Sequence, residues 1–147
     1  MHAIELFALG MLIIVITVII HAYVTLKWMD YFLAKYTRRD GLIVTGKTYR
    51  VLLLTAFVLL SAHMLEILIW ASAYWFLAPL SEIDTLETAF YFSVVTFTSL
   101  GYGDVTLGPE WRILSGMEAL NGVLLVGWTT AFLYAILQRI WKFQHQK

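Results

Sequence analysis

The sequence predicts an all-α membrane protein: three transmembrane helices and one short re-entrant helix. Three observations carry this. Of 147 residues, 61% are hydrophobic and 14% charged, against roughly 45–50% and about 25% in soluble domains. A soluble chain this short has too little interior to hide that surface, which excludes a conventional soluble enzyme or nucleic-acid binder. The apolar residues also fall into separate long runs, and the charges between the runs are sorted by sign.

Residues 6–26 contain no Asp, Glu, Lys or Arg. About 20 helical residues cross a bilayer, so this run is long enough. His2 and Glu5 stand where a signal peptide would be basic, and Tyr23-Val24-Thr25 is no small-residue cleavage site, so the helix is expected to be retained. Residues 1–26 therefore form the first expected span, and 27–50 a basic linker. Residues 51–80 carry one charge, Glu66, and residues 113–138 carry one, Glu118. These are the second and third spans.

The linker holds six basic and two acidic residues, and residues 138–147 hold Arg139, Lys142 and Lys147. By the positive-inside rule both segments face the cytoplasm. Residues 78–111 carry five acids and no Lys or Arg, so they face outside, as does the N-terminus. The expected location is a multi-pass plasma membrane of prokaryotic type. A formal net charge of zero offers nothing to nucleic acid, and the absence of Cys excludes disulfides and Cys-held metals.

Between the second and third spans, residues 86–98 are apolar and aromatic but too short to cross. Asp84-Thr85-Leu86-Glu87 and Ser81-Glu82-Ile83-Asp84 each offer an oxygen acceptor with an acid three residues on, a helix-start pattern. Gly101 and Gly103 end the helical pattern. A short helix that enters and returns as extended chain is a re-entrant loop, tolerated at membrane depth where protein or water surrounds it.

The return segment reads Thr96-Phe97-Thr98-Ser99-Leu100-Gly101-Tyr102-Gly103-Asp104. It resembles the potassium-channel family, whose filter motif is commonly Thr-Val-Gly-Tyr-Gly-Asp. Stacked rings of backbone carbonyls replace the hydration shell of K⁺. Turning successive carbonyls to one side requires left-handed backbone at alternate residues, which glycine adopts freely, so Gly101 and Gly103 suit the task. The resemblance implies K⁺ coordination by the carbonyls of Ser99, Leu100, Gly101 and Tyr102, with Gly103 completing the filter. It also implies filter support from Thr96, Thr98, Asp104 and Tyr91, the Tyr91 hydroxyl reaching Asp104. Four such chains form the ring, so the expected assembly is a four-fold homotetramer in lipid, with K⁺ as permeant ligand and no other cofactor. The resemblance covers an outer helix at 51–77, pore helix at 85–98, filter at 99–104 and inner helix at 111–138, leaving 139–147 as a short cytoplasmic tail.

This chain departs from the family pattern at Ser99 for Thr, Leu100 for Val or Ile, Tyr91-Phe92 for Trp-Trp, and Val95 for Glu. A K⁺-selective channel is the first expectation, a weakly selective cation channel the second. An intramembrane enzyme or redox module using His21, His63, Glu66 and Glu118 is a third, against which the lack of a nucleophile motif counts, and a non-conducting sensor or regulatory subunit on a channel scaffold is a fourth. No span has Arg or Lys at every third residue, which excludes a voltage sensor. Residues 138–147 are expected to form only a short tail, too short for a nucleotide- or calcium-binding soluble domain.

Several intramembrane polar residues are further candidates. His63 and Glu66, at i and i+3, share a helix face and either sense protons or brace the helix. His21 lies about 10 Å from His63 in depth, counted from the expected span ends at 1.5 Å per residue, so one chain should not ligate haem with both. Glu118 either bonds the pore helix or bridges to Arg112 or Thr98. Asn121 faces the cavity or bonds between helices. Gly122 and Gly127 are hinge or close-packing positions, and Thr129, Thr130 and Tyr134 fall where inner helices would converge.

Overall fold

The computed structural model describes residues 3–36, 48–78 and 83–144. Four α-helices follow in order: α1 (Ala3–Tyr36), α2 (Thr48–Leu77), α3 (Leu86–Phe97) and α4 (Arg112–Gln144), the last entered through a 3₁₀ turn at Pro109–Trp111. No strand occurs among the described residues. Three of the helices are long and apolar enough to cross a membrane, and α3 is not.

The spans outrun their expected ends. The first helix, expected to stop at 26, continues to Tyr36, and α2 starts at Thr48. Of the expected 27–50 linker only 37–47 remains, outside the described residues. Charge drew the boundary in the wrong place, because residues 27–36 contain neither Gly nor Pro and present an aromatic face. Phe32 is fully buried with Val51, Ile136 and Ile140 in a second core cluster. The Trp28 indole N–H donates to Thr55 Oγ1 at 2.9 Å. Likewise α4 runs into the expected tail as far as Gln144, and Ile140 packs in that cluster.

In a bilayer, lipid tails compete for apolar side chains, so helices associate through close packing and polar contacts. The buried stripe of α1 follows that rule: Leu6, Gly10, Ile13, Thr17, His21, Thr25 and Phe32. A Cβ on Gly10 would sit 2.7 Å from Met117 Sδ and 3.1 Å from Leu114 Cδ1, so α1 and α4 approach closely there. The Asn121 amide donates to Thr17 Oγ1 at 2.8 Å, and Thr17 in turn donates to the Ile13 carbonyl at 3.0 Å. Asn121 is thus an interhelical bond, not a cavity-facing group. The opposite face of α1 is apolar and exposed, with Ile4, Ile19 and Leu26 on it. Helix α1 packs against both α2 and α4.

The main core gathers Trp70 and Tyr74 of α2, Phe92 and Phe97 of α3, and Leu114 and Leu125 of α4. The Tyr74 and Phe92 rings meet edge to face at 5.0 Å. This core holds α3 between α2 and α4, and it fixes where the return segment emerges.

Candidate ion-conduction site

Helix α3 starts where a side chain caps it. Thr85 has extended backbone, and its Oγ1 accepts the Thr88 amide at 3.0 Å, while Thr88 Oγ1 donates to Asp84 Oδ1 at 2.8 Å. The cap thus pairs Thr85 with Thr88, one residue along from the expected Asp84–Glu87 pairing. The acid still serves, because Asp84 orients the Thr88 hydroxyl.

The helix ends at Thr98, and the chain then turns back on itself. The amides of Ser99 and Leu100 donate to the carbonyls of Thr96 and Val95 at 2.9 Å, and Gly101 N–H reaches Val95 O at 3.3 Å. Ser99, Gly101 and Gly103 all have positive φ, at 57°, 57° and 78°, and they alternate with Leu100 and Tyr102, which do not. The glycines were expected there; Ser99 was not. A non-glycine residue in this region costs roughly 1–2 kcal/mol, so the segment holds Ser99 against its own preference. Among the described residues, no backbone hydrogen bond outside the helices ends on the carbonyls of residues 99–103.

Asp104 anchors the outer end of the segment. The Tyr91 hydroxyl donates to Asp104 Oδ2 at 2.6 Å. That bond holds the Asp104 carboxyl below its ordinary value of 3.8 and raises the Tyr91 phenol. Thr98 Oγ1 donates to the Val94 carbonyl at 2.7 Å and so finishes α3. Leu100 and Tyr102 are 55% and 67% exposed. Beside them a cavity of about 720 Å³ opens between the segment, α3 and α4, lined by Tyr91, Thr96, Ser99, Arg112 and Ala119 among others.

Behind the segment lies α4. A Cβ on Gly122 would come within 1.9 Å of the Phe97 carbonyl oxygen, so this glycine is a close-packing position beneath the end of α3. Gly127 differs, with nothing within 4 Å of its Cβ position. Thr130 caps back onto the Val126 carbonyl at 3.0 Å, and Tyr134 accepts from Gln138 at 2.8 Å, both on the open face of α4. Glu118 is fully buried and accepts a hydrogen bond from Ser93 of α3. It therefore bonds the short helix, and the expected bridge to Arg112 or Thr98 is not formed. Arg112 instead lines the cavity, one and a half turns nearer the start of α4.

Below α3 the structure joins residues that the sequence kept apart. His21 Nδ1 lies 2.9 Å from Glu66 Oε1, and His63 Nδ1 lies 2.8 Å from Glu66 Oε2. The imidazoles stack with centroids 5.1 Å apart. The expected 10 Å offset in depth is overturned, because the helices are longer than their uncharged runs. His21 and His63 are each fifteen residues from the facing helix ends, Tyr36 and Thr48. Thr129 completes the cluster, 2.8 Å from His63 Nε2 and 3.4 Å from His21 Nε2. Sequence reading missed the partners Thr17, Ser93 and Thr129. For α1 a signal was present: Thr17, His21 and Thr25 recur every fourth residue in an apolar run, which marks a buried face.

A short capped helix held between two spans, followed by a return segment, is the pore-loop architecture of a membrane channel. The sequence profile of the family described as "Ion channel" matches residues 62–139, and the chain belongs to that family. It is a multi-pass membrane protein. Helix α1 lies outside the matched region. Among relatives, the chain is similar to the potassium voltage-gated channel protein shk-1 of Caenorhabditis elegans, 34% identical over 88 residues, which are 57% of this chain and 16% of that one. The chain thus matches under a fifth of that relative's length. No solved structure matches it.

Proposed function

We propose that this channel conducts K⁺ selectively and passively through a four-fold homotetrameric pore. The observation that carries the reading is the alternation of left-handed backbone at Ser99, Gly101 and Gly103 beneath carbonyls that accept no internal bond. Rings of such carbonyls from four chains supply the oxygens that K⁺ loses with its water. The Ser99 hydroxyl adds an innermost ring. The C-terminal end of α3, with its partial negative charge, favours a cation at the inner end of the segment. One chain provides one wall only. The exposed Leu100 and Tyr102 side chains, and the cavity beside them, are what a neighbouring copy would cover. The relative named as a potassium channel points the same way.

In this reading the basic segments face the cytoplasm and the acidic 83–110 region gathers cations at the mouth. The plasma membrane is the expected site, lipid the surrounding partner, and no covalent chemistry or resident cofactor is involved. The test is reconstitution in liposomes under opposed K⁺ and Na⁺ gradients. A reversal potential near that of K⁺ is expected, with loss of current in Gly103→Ala. Reversal near zero would instead favour the weakly selective channel, which Leu100, lacking the stiffness of a β-branched residue, makes the specific rival. Absence of current in every condition would favour the sensor.

A further inference from the structure

His21 of α1, His63 and Glu66 of α2 and Thr129 of α4 form a closed ring of four polar contacts. Glu66 gives one oxygen to each Nδ1, and Thr129 sits between the two Nε2 atoms. His21 and Glu66 are fully buried and His63 is 7% exposed. The surroundings are apolar or aromatic: Trp128 meets His21 edge-on at 5.5 Å, and Phe97 meets His63 at 5.9 Å.

Counting hydrogens decides what the ring holds. Four contacts need four hydrogens. An ionised Glu66, two neutral imidazoles and the Thr129 hydroxyl supply three, with a net charge of −1. One more proton closes the ring and brings the charge to zero. That holds whether the proton sits on an imidazole beside the carboxylate or on Glu66 itself. A fifth proton would make the cluster positive and turn two N–H groups on the single Thr129 oxygen. Both neighbouring states place a net charge in a low-dielectric interior, which is costly. Among the described residues, no other charged group meets the ring. Glu66 is the sole Asp, Glu, Lys or Arg in residues 51–80, α1 has none in 6–26, and α3 presents Phe97. In α4 the sole charge within 113–138 is Glu118, three turns from Thr129 and bonded to Ser93.

A metal ion fits less well, although the three ligand atoms lie within 4.8 Å of one another. Each carboxylate oxygen already meets a different imidazole at hydrogen-bond distance, 2.9 and 2.8 Å, which is the spacing of a shared proton. A divalent ion with Glu66 and two neutral imidazoles would also leave a buried charge of +1.

We infer that the His21–Glu66–His63–Thr129 ring is a single-proton binding site that clamps α1 onto the pore-forming helices, and that gain or loss of a proton there changes conduction. The ring reaches α1, α2 and α4 directly and the end of α3 through Phe97. Its charge state therefore bears on every element around the return segment.

The test counts protons and then asks whether they matter. In protein labelled with ¹⁵N-His and ¹³C-Glu, with His2 and His145 replaced by Gln and embedded in lipid nanodiscs, the two imidazoles and Glu66 should together hold three protons near neutral pH. A count of two or four, or one Zn²⁺ retained per chain by the wild type, overturns the inference. Because both neighbouring charge states are costly, wild-type cation flux from liposomes should hold steady around neutral pH and change several-fold only where the ring gains or loses its proton. Thr129→Val, which opens the ring, should move that change by about one pH unit toward neutrality. Thr129→Ser keeps the hydroxyl and should follow the wild type. Superimposable profiles for wild type and Thr129→Val would overturn the link to conduction. The proton count is independent of which cation permeates, so it stands or falls apart from the K⁺ reading.

Discussion

Gly122 lies directly beneath the carbonyl of Phe97, so close that a methyl group there would overlap the oxygen at 1.9 Å. The clash is with backbone, which has no rotamer to yield. Gly122→Ala should therefore separate α3 from α4 and cost at least the roughly 1–3 kcal/mol typical of overpacking. Gly127→Ala meets nothing within 4 Å and should be neutral or slightly stabilising. Thermal unfolding of both variants in one detergent checks the contrast. Equal stability of the two would show that the helices separate more easily than this contact implies.

The Tyr91–Asp104 bond predicts an acid limit for the outer end of the return segment. Asp104 titrates below 3.8 because Tyr91 donates to its ionised form. A depressed carboxyl stabilises the fold above its ordinary value and loses that contribution as pH falls through the lowered one. Tyr91→Phe should raise the Asp104 midpoint toward 3.8. It should also reduce K⁺ over Na⁺ discrimination at neutral pH. A ¹³C titration of the Asp104 carboxyl reads the first effect and reversal potentials the second; an unchanged midpoint would refute the linkage.

Ser99 offers a sharper test, because its backbone and its hydroxyl make opposite demands. With φ at 57°, Ser99→Gly should relieve roughly 1 kcal/mol of strain. Ser99→Val, β-branched, should be unable to hold the position. If the hydroxyl contributes an inner ring of ligands, Ser99→Gly should keep the fold while lowering K⁺ conductance several-fold. Unfolding midpoints and conductance measured on the same preparations separate the two effects.

Glu118 and Ser93 bind α4 to α3 within the core. Glu118→Gln retains an acceptor for the Ser93 hydroxyl and should change stability little. Glu118→Ala leaves that hydroxyl with only the Ile67 carbonyl at 3.2 Å and opens a void, at a cost of about 2 kcal/mol or more. If Gln and Ala prove equally damaging in denaturation midpoints, charge and not hydrogen bonding is what the site requires.

The span count, the short helix and the glycines of the return segment were legible because each rests on local chemistry. Hydropathy marks a span, Gly101 and Gly103 mark left-handed backbone, and Thr85 marks a helix start. Ser99 was not legible as a left-handed residue, since its conformation is imposed by the amides of 99–101 folding onto α3. The His21–His63 pairing failed for a different reason. Charge does not end a helix: α1 carries Lys27, Asp30 and Lys35 within it. An error of ten residues at 1.5 Å each is enough to misplace a partner by a membrane half-thickness. Tertiary partners such as Ser93 for Glu118 lie on elements whose mutual rotation no local pattern records.

The length of α1 and α4 has a mechanical consequence. At 34 and 33 residues, they measure about 50 Å, some 20 Å more than a bilayer's hydrocarbon core. Their far ends are stitched together where Phe32, Val51, Ile136 and Ile140 interlock. Any splaying of α4 at that end must drag α1 and the start of α2 with it or tear the cluster apart. The first helix thus splints α4 over the stretch by which both exceed a bilayer's hydrocarbon core.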